Sequence, residues 1–576
     1  MCGIFSLLNT NNISENFINA QFEKGKNRGP EYSKLLVTSE NAIFGFHRLA
    51  INGLNDKSNQ PFMISDIILI CNGEIYNYKY LYELMEIKSE TDSDCEVIIH
   101  LYLRYGIEQT LTMLDGVFAF ILYDTKNKQI YAARDPYGVR PLYQLSNLTN
   151  LNLTNLNLIG FASELKCLSE FIIIDDSRCN KSYNLLPEDK IVQFTPGTYS
   201  SFNYEKRSWR VDVNQGYTKQ NIPYIVPSFS SPNNKFIWKC YFDNIIEHLT
   251  KSVEKRCLAT ERPIACLLSG GLDSSLITAL VNEFYKSNRN STSTSNSNNS
   301  SKLETYSIGL AGSEDLKYAR IAANYLNTKH TEIIVTEKEM FDAIPEVIYA
   351  IESYDTTTVR ASIGNYLLGK YIAKNSNAKV IFNGDGSDEL CGGYLYMNSC
   401  PDSIEFDKET RRLLKDIHLF DVLRSDKSIS SHGLEPRTPF LDRNFVNYYL
   451  SIPPYARNHN NFSSCGKYLI RQSFSLPMYE NLECKQLLPD EILWRKKEAF
   501  SDGVTGHGRS LFQILQEFIS VELNLPANIE TEKLYYKSIF EKCFPNLSYI
   551  LPYFWMPKYT TATDPSARTL DIYKNK

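Results

Sequence analysis

The chain has 576 residues, a net charge of −5 at neutral pH, and an ordinary globular composition with 43% hydrophobic and 22% charged residues. This length exceeds what one hydrophobic core holds, and the slight negative charge gives no reason to expect a nucleic-acid partner. No segment approaches ~18 consecutive apolar residues and the start lacks signal-peptide features, so we expect no membrane association and a cytoplasmic protein. Thirteen cysteines without CxxC pairs indicate reduced thiols.

The first chemically informative residue is Cys2, which directly follows Met1. If Met1 is removed, this residue carries both a thiol and a free α-amino group, whose reference pKa is about 7.7–8.0. One residue then supplies a nucleophile and the base that activates it. Position alone does not distinguish this from a cysteine without a catalytic role, so the downstream sequence decides.

The first domain is predicted as alternating strands and turns with one or two helices. An apolar run over 66–71 is predicted to be a strand that ends in a turn at Asn72-Gly73. The apolar runs 117–124 and 128–133 predict a hairpin, and residues 190–197, which contain Pro196-Gly197, predict another.

The second half of the chain has a different texture. Residues 206–235 are polar and contain prolines, which predicts an interdomain linker, and from 236 onward helical segments alternate with short apolar strands. Asparagine- and serine-rich runs at 146–158 and 287–301 are predicted to be loops.

A glycine-rich turn follows the apolar strand that precedes Ser269. Backbone N–H groups at the glycines, hydroxyl groups and the N-terminus of the next helix favour an anion there, although a simple βα turn is the structural alternative. The turn lacks the Gly-Lys-Ser/Thr of a Walker A loop. Its sequence is Ser269-Gly270-Gly271-Leu272-Asp273-Ser274-Ser275.

A second acidic turn, Asn383-Gly384-Asp385-Gly386-Ser387-Asp388, also follows an apolar strand. Alone it would be a solvated turn. If both strands belong to one parallel sheet, Asp273 and Asp388 converge on one divalent cation, because Mg²⁺ favours one or two carboxylates plus phosphate oxygens.

These features together resemble the glutamine-dependent asparagine synthetases, over roughly residues 2–205 and 236–570. The strings CGIFSLL, CNGEIYN, LLSGGLDSSL, GDGSDELCGGY and RTPFLD carry the resemblance, and the residues around Trp555 and Asp564 are similar to its eukaryotic branch. The resemblance implies an α/β protein in which a four-layer αββα sandwich of the N-terminal-nucleophile (Ntn) hydrolase type precedes a doubly wound α/β ATP-pyrophosphatase domain with extra helices. The implied boundaries are a glutaminase domain at 2–205, a linker at 206–235, a synthetase domain at 236–560 and a tail at 561–576.

In the first domain the resemblance implies that Cys2 attacks the side-chain amide of glutamine. Asn72 and the Gly73 N–H would form the oxyanion hole. Arg48 would bind the α-carboxylate and Asp94 the α-ammonium of glutamine. Further residues of the glutamine site would be Leu49, Ala50, Ile51, Asn52 and Glu74.

In the second domain the resemblance implies that ATP and aspartate form β-aspartyl-AMP and pyrophosphate. Thr357 and Arg360 would lie near the aspartyl and phosphate groups, and Asp273 and Asp388 would hold Mg²⁺. The residues implied to bind ATP or pyrophosphate are Leu268, Ser269, Gly270, Gly271, Asp273, Ser274, Ser275, Ile308, Asn383, Gly384 and Lys467.

Two residues depart from the family pattern, which usually reads Ser-Gly-Glu-Gly-Ser-Asp at the acidic turn. Asp385 keeps the carboxylate of a glutamate that acts on the intermediate during ammonia attack, but it is one methylene shorter. Asn383 replaces the serine. We therefore expect activity to survive in a modified form.

Three alternative functions remain to be weighed. A sugar-phosphate or phosphoribosyl amidotransferase would not need the SGGLDSS turn, and a β-lactam-type synthetase typically lacks the nucleophilic cysteine. A non-enzymatic descendant would have lost the thiol, the oxyanion asparagine or the glycine turn. The expected partners are small molecules (glutamine, aspartate and ATP), with no nucleic acid and no membrane; a homodimer is implied only by the family.

Overall fold

The computed structural model describes residues 1–11, 13–146, 158–172, 190–218, 235–291, 302–462, 465–475, 486–498, 503–505 and 509–574. These residues form two compact units. The first is built from the N-terminal part of the chain together with Ser430–Glu435 and Ile539–Pro552, and the second from the remainder. Most of both predicted asparagine-rich loops lies outside the described residues.

The described part of the first unit contains twelve strands arranged in two six-stranded sheets. One sheet has the order β10-β8-β9-β1-β3-β2 and the other the order β12-β11-β7-β6-β5-β4. The strands are β1 (Gly3–Leu8), β2 (Tyr32–Val37), β3 (Ala42–Arg48), β4 (Phe62–Ile64), β5 (Ile67–Ile75), β6 (Gly116–Asp124), β7 (Gln129–Arg134), β8 (Tyr143–Ser146), β9 (Ile159–Ala162), β10 (Lys190–Gln193), β11 (Thr198–Glu205) and β12 (Ser208–Gly216).

Apolar side chains of both sheets share one buried core, which includes Phe44 from β3 and Ile121 from β6. Helices cover the outer faces. Helix α1 (Glu15–Glu23) packs Phe22 against Phe5 of the first sheet, while α2 (Tyr78–Met85) and α3 (Val97–Met113) bury their apolar sides with the second. Because each sheet is apolar on two faces, four layers result, and the predicted αββα sandwich is confirmed.

Two local predictions for the first unit differ from the structure. The predicted turn at Asn72-Gly73 is wrong, because β5 continues to Ile75 and Gly73 pairs with Phe118. The predicted hairpin at 190–197 is also wrong: β10 pairs with β8 in one sheet, whereas β11 pairs with β7 and β12 in the other. The chain therefore crosses between sheets at Pro196-Gly197.

The predicted linker at 206–235 begins with strand β12 rather than with an irregular segment. Trp209 anchors this strand: its side chain is fully buried and its indole N–H donates to the Glu40 carbonyl at 2.9 Å. Polar residues on the exposed face of an edge strand hide the alternation in the sequence. Residues 219–234 lie outside the described part of the chain.

The second unit is organised around a five-stranded sheet with the order β15-β14-β13-β16-β17. The pairs β13–β14, β14–β15 and β13–β16 are parallel. This order makes the connections run in opposite directions from β13, so a crevice opens between the carboxyl ends of β13 and β16. The doubly wound fold is confirmed. The strands are β13 (Ile264–Leu267), β14 (Glu304–Gly309), β15 (Lys329–Ile334), β16 (Val380–Phe382) and β17 (Glu435–Arg437).

Helices surround this sheet, and several begin at side chains that cap them. Asp355 caps α9 by accepting the Thr358 N–H at 2.8 Å, which fixes the start of the helix beside the sheet. The helices are α4 (Lys235–Leu258), α5 (Leu272–Ser291), α6 (Glu314–Leu326), α7 (Glu337–Asp342), α8 (Ile344–Ile351), α9 (Thr356–Asn375), α10 (Ser387–Cys391), α11 (Ser403–Asp416), α12 (Asp421–Ser430), α13 (Arg443–Ser451), α14 (Pro454–Arg457), α15 (Tyr468–Ser473), α16 (Asp490–Leu493), α17 (Leu511–Leu523), α18 (Ile529–Cys543) and α19 (Asp571–Lys574).

The described residues of the predicted tail, 561–574, are part of the second unit. Asp564 is 6% exposed and forms an ion pair with Arg360 at 2.8 Å. Among the described residues, no helix combines the length and apolar character needed to cross a membrane.

Candidate active sites

Cys2 lies at the start of β1, beside the end of β3. Gly3 pairs with His47, so Cys2 is adjacent to Arg48 across the ladder. Its thiol is half-buried, with Sγ 3.7 Å from the Leu49 carbonyl oxygen, and its own carbonyl accepts a hydrogen bond from Arg28 Nε at 3.0 Å. Burial raises the pKa of the Cys2 thiol. The predicted nucleophile is thus held in place but needs a base.

Asn72 lies on β5 of the other sheet and is linked through Ser163 to β1, which follows Cys2. Its Nδ2 lies 3.4 Å from Ser163 Oγ, which also accepts the Ile4 N–H of β1 at 3.1 Å. Asn72 Oδ1 is buried and has no hydrogen-bond partner among the described residues. Gly73 leaves no space for a side chain, because a Cβ there would lie 2.6 Å from the Val117 carbonyl oxygen. The hydroxyl of Ser163 therefore ties the predicted oxyanion hole to the strand that carries Cys2.

Asp94 is buried and lies beside the end of β5. One carboxylate oxygen accepts the Ile75 N–H at 2.6 Å and the other lies 3.5 Å from Asn52 Nδ2, which also donates to Glu74 at 2.8 Å. Burial raises the pKa of Asp94 to about 6. The structure thereby brings three of the predicted glutamine-site residues into one hydrogen-bonded group.

The guanidinium of Arg48 braces the loop that follows it. It donates to the carbonyl oxygens of Asn52 and Asn55 at 3.1 and 3.0 Å, and to the Asn59 side chain at 2.7 Å; the Gly53 carbonyl is a further acceptor. The role of Arg48 with a glutamine carboxylate stays a prediction. The segment Leu49–Asn52 is buried, and Ala50 N donates to Glu31 at 2.6 Å.

The second unit contains a cavity at the crevice between β13 and β16. Most predicted ATP-site residues line it, whereas Gly270, Ser275 and Arg360 do not. The predicted residues on its wall are Leu268, Ser269, Gly271, Asp273, Ser274, Ile308, Thr357, Asn383, Gly384, Asp385, Asp388 and Lys467.

Hydrogen bonds from its own serines fix the conformation of the glycine turn. Ser269 Oγ lies 3.0 Å from Ser274 Oγ and accepts the Gly271 N–H at 3.3 Å. Gly270 has φ +72°, and a Cβ there would lie 2.3 Å from the Ala319 nitrogen, so this position requires glycine. The turn directs hydroxyl groups and the start of α5 toward the cavity.

Lys467 joins the two predicted metal ligands. Its Nζ lies 2.6 Å from Asp273 and 2.5 Å from Asp388, and it donates to Ser387 at 3.0 Å; Lys497 forms a second ion pair with Asp388 at 2.6 Å. Burial alone would raise the pKa of Asp388, but the two lysines outweigh it and lower that pKa. Both carboxylates are close enough to share one cation.

The acidic turn is held by residues of α12. Asp385 accepts from Arg424 at 3.0 Å, and Asn383 Nδ2 donates to Ser425 Oγ at 2.8 Å. Arg424 also pairs with Asp421, whose pKa burial raises to about 6 against the opposing effect of that arginine.

Comparisons with known proteins match both halves of the chain. A model of the glutamine amidotransferase domain matches residues 1–205, and a model of asparagine synthase matches 244–405 and 398–556. Glutamine-hydrolysing asparagine synthetases from Gallus gallus, Bos taurus and Homo sapiens are 40%, 38% and 38% identical, each over all of this chain and 99% of the relative. The chain belongs to the glutamine-hydrolysing asparagine synthetase family.

Arg360, one of the predicted residues of the synthetase site, does not line the cavity. Arg360 is 3% exposed and forms ion pairs with Glu532 at 2.5 Å and Asp564 at 2.8 Å, while Gln516 donates to both acids. Arg360 is therefore not on the cavity wall, and its place near the aspartyl and phosphate groups stays a prediction. The two acids lie about 170 and 200 residues further along the chain, too far for a local sequence pattern to show them.

We expect Arg360→Met to destabilise the second unit strongly. Removing the guanidinium leaves two buried carboxylates unpaired, which costs about 3–5 kcal/mol of unfolding free energy. Urea denaturation followed by tryptophan fluorescence measures the change. The control is Arg320→Met, which breaks an exposed pair with Glu332 and should barely move the midpoint. An unchanged midpoint with a raised KM for aspartate would support the original assignment.

The sequence analysis missed several residues that lie at the two candidate sites. Lys497 lies in the sequence LWRKKEAFSDG, but no pattern distinguishes it from the neighbouring Lys496. Arg424 lies on a helix with alternating charges, which is typical of a solvated face. Ser163 and Glu31 carry no sequence signal at all, because only the pairing of strands brings them to the glutaminase site.

Proposed function

We propose that this chain synthesises L-asparagine from L-aspartate, with L-glutamine as nitrogen donor. ATP, aspartate, glutamine and water give AMP, diphosphate, asparagine and glutamate. The observation that carries the proposal is the cavity in which Lys467 bridges Asp273 and Asp388 beside the glycine turn. A phosphoribosyl or sugar-phosphate amidotransferase has no need for such a site. We also propose a cytoplasmic enzyme, as expected from the sequence; a homodimer is an expectation from the family.

At the first site Cys2 cleaves glutamine. The thiolate adds to the side-chain amide carbon, ammonia leaves, and water hydrolyses the thioester to glutamate. Charge that develops on the amide oxygen is stabilised by Asn72 and the Gly73 N–H. Because burial raises the pKa of the thiol, deprotonation needs a base, and removal of Met1 supplies the α-amine. Intact mass should show that glutamine-active protein has lost Met1; fully active protein that retains Met1 would contradict this base.

We expect glutamine hydrolysis to weaken in acid because Asp94 loses its charge. The folded-state pKa of about 6 means that Asp94 is ionised above this pH and neutral below it. The neutral form cannot attract the α-ammonium of glutamine, so protonation of Asp94 should add a further loss of about tenfold per pH unit below pH 6 to the decline in kcat/KM that protonation of the Cys2 α-amine causes at higher pH. Rates measured between pH 5 and 8 test this.

Two variants distinguish the titration of Asp94 from other effects of low pH. Asp94→Asn should have a low kcat/KM with no step near pH 6. Asp92→Asn, an exposed neighbour, should keep the parent profile. A step near pH 6 that persists in Asp94→Asn would assign the titration to another group.

At the second site the residues fit an ATP–Mg²⁺ complex. Asp273 and Asp388 would hold Mg²⁺ together with phosphate oxygens, since the described residues contain no cluster of three such ligands that could hold a metal alone. The bound ion would neutralise charge on the leaving pyrophosphate. Lys467, held between the same carboxylates, places a further positive charge at that leaving group. A β-carboxylate oxygen of aspartate bonds to the α-phosphorus of ATP while the bond from that phosphorus to pyrophosphate breaks, which gives β-aspartyl-AMP.

Ammonia from the first site then reacts at the second. Only neutral ammonia has a free electron pair, and water at neutral pH protonates it, so we propose a transfer sheltered from solvent. The proposed function is tested by measuring pyrophosphate with each substrate omitted in turn. Release should require both ATP and aspartate, and aspartate-independent release would reject the synthetase.

A further inference from the structure

The two departures from the family pattern, Asn383 and Asp385, are neighbours on one turn and are both held by α12. Arg424 and Ser425 are consecutive residues of that helix, and they contact Asp385 and Asn383 respectively. The same helix therefore holds both of these residues. This juxtaposition suggests that they act together.

Asn383 makes two contacts that shape the turn. Its Nδ2 donates to Ser425 Oγ at 2.8 Å, and its Oδ1 accepts the backbone N–H of Asp385 at 3.3 Å. Both Asn383 and Ser425 are at least 96% buried. A serine hydroxyl ends one bond closer to the backbone than an asparagine amide, so a serine at 383 cannot span both partners.

Asp385 presents one oxygen to Arg424 and keeps the other available. Oδ1 accepts from Arg424 at 3.0 Å, while Oδ2 is buried without a hydrogen-bond partner in the described part of the chain, and the residue lines the cavity. Replacing glutamate by aspartate withdraws the carboxylate by about 1.5 Å. A misplacement of about 1 Å can cost 10²-fold in rate.

We propose that Asn383 is a positioning residue that compensates for the shorter side chain of Asp385, a proposal that rests on the synthetase function above. The asparagine amide fixes the turn between α12 and the Asp385 N–H, so that Oδ2 reaches the reacting atoms. In the step served, the ammonia nitrogen bonds to the β-carbonyl carbon of β-aspartyl-AMP. The bond from that carbon to the AMP oxygen breaks, and a proton from the nitrogen passes to Asp385 Oδ2.

A double-mutant cycle tests the compensation. Asn383→Ser, Asp385→Glu and the double variant are compared with the parent in ammonium-dependent assays. The readout is the asparagine formed per pyrophosphate released, because a misplaced Asp385 slows ammonia attack more than adenylation. Each single variant should lower this ratio at least tenfold, and the double variant should recover to within about threefold of the parent.

Two serines on α12 provide a second, independent readout. Ser425→Ala removes the partner of the Asn383 amide and should lower the ratio as Asn383→Ser does. Ser428→Ala, further along the same helix, should keep the parent ratio. Aspartate-dependent pyrophosphate release should persist in every variant, which shows that the second unit, in which all the substitutions lie, is folded.

The outcomes distinguish the compensation from the function beneath it. The compensation is overturned if the ratio of asparagine to pyrophosphate in the double variant falls by the product of the two single-variant factors. It is also overturned if Asn383→Ser keeps the parent ratio. If the parent itself releases no aspartate-dependent pyrophosphate, the synthetase function fails and the compensation fails with it.

Discussion

Cys2→Ala should abolish glutamine-dependent asparagine formation and leave ammonium-dependent formation intact. Removing the thiol eliminates the covalent intermediate, which should lower glutamine use at least about 10³-fold. Added ammonium reaches the second site without any role for Cys2. Asparagine measured by chromatography, with glutamine or with ammonium chloride as nitrogen source, gives both rates from one preparation.

The matched control for this variant is Cys240→Ala, which changes a similarly half-buried cysteine of the second unit. It should retain both activities. Loss of the ammonium reaction in Cys2→Ala, with Cys240→Ala unaffected, would mean that the two chemistries do not occupy separate sites.

Lys467→Met should have the opposite pattern, losing asparagine formation from either nitrogen source while glutamine hydrolysis continues. Without the ammonium group, Asp273 and Asp388 repel one another and the leaving pyrophosphate loses a fixed positive charge. Removing one charge-stabilising donor of this kind typically costs about 10²–10³-fold in kcat. Aspartate-dependent pyrophosphate release and glutamate release are measured on the same protein.

Two other lysines calibrate this effect. Lys497 is the more exposed of the two lysines that pair with Asp388. Lys497→Met should therefore lower the rate of pyrophosphate release less than Lys467→Met does. Lys370→Met changes an exposed pair with Glu346 and should leave the pyrophosphate rate unaltered. A Lys467→Met protein with the parent rate of pyrophosphate release would remove this lysine from the mechanism.

Much of the fold was predictable because its signals are local. The hairpin of β6 and β7 follows from two adjacent apolar runs, and the doubly wound sheet follows from strands that alternate with helices. The glycine turn and the acidic turn were both placed after strands, and both line the same cavity. Consecutive residues of a strand–turn–helix unit carry this information without reference to the rest of the chain.

What escaped prediction depends on partners that are distant in the sequence. The turn expected at Asn72-Gly73 is a continuing strand because Gly73 pairs closely with Phe118, where its missing side chain leaves room for the neighbouring strand. Arg360 was expected near the aspartyl and phosphate groups, but its ion pairs with Glu532 and Asp564 hold it away from the cavity wall. The compensation at Asn383 depends on Ser425, more than forty residues away.

The most direct test follows the nitrogen atom. The protein is incubated with ATP, Mg²⁺, aspartate and glutamine labelled with ¹⁵N in its side-chain amide, and the products are analysed by mass spectrometry. Coupled action of both sites predicts asparagine that carries the ¹⁵N in its side-chain amide, together with equal amounts of AMP. Unlabelled asparagine, or ADP in place of AMP, would contradict the joint mechanism.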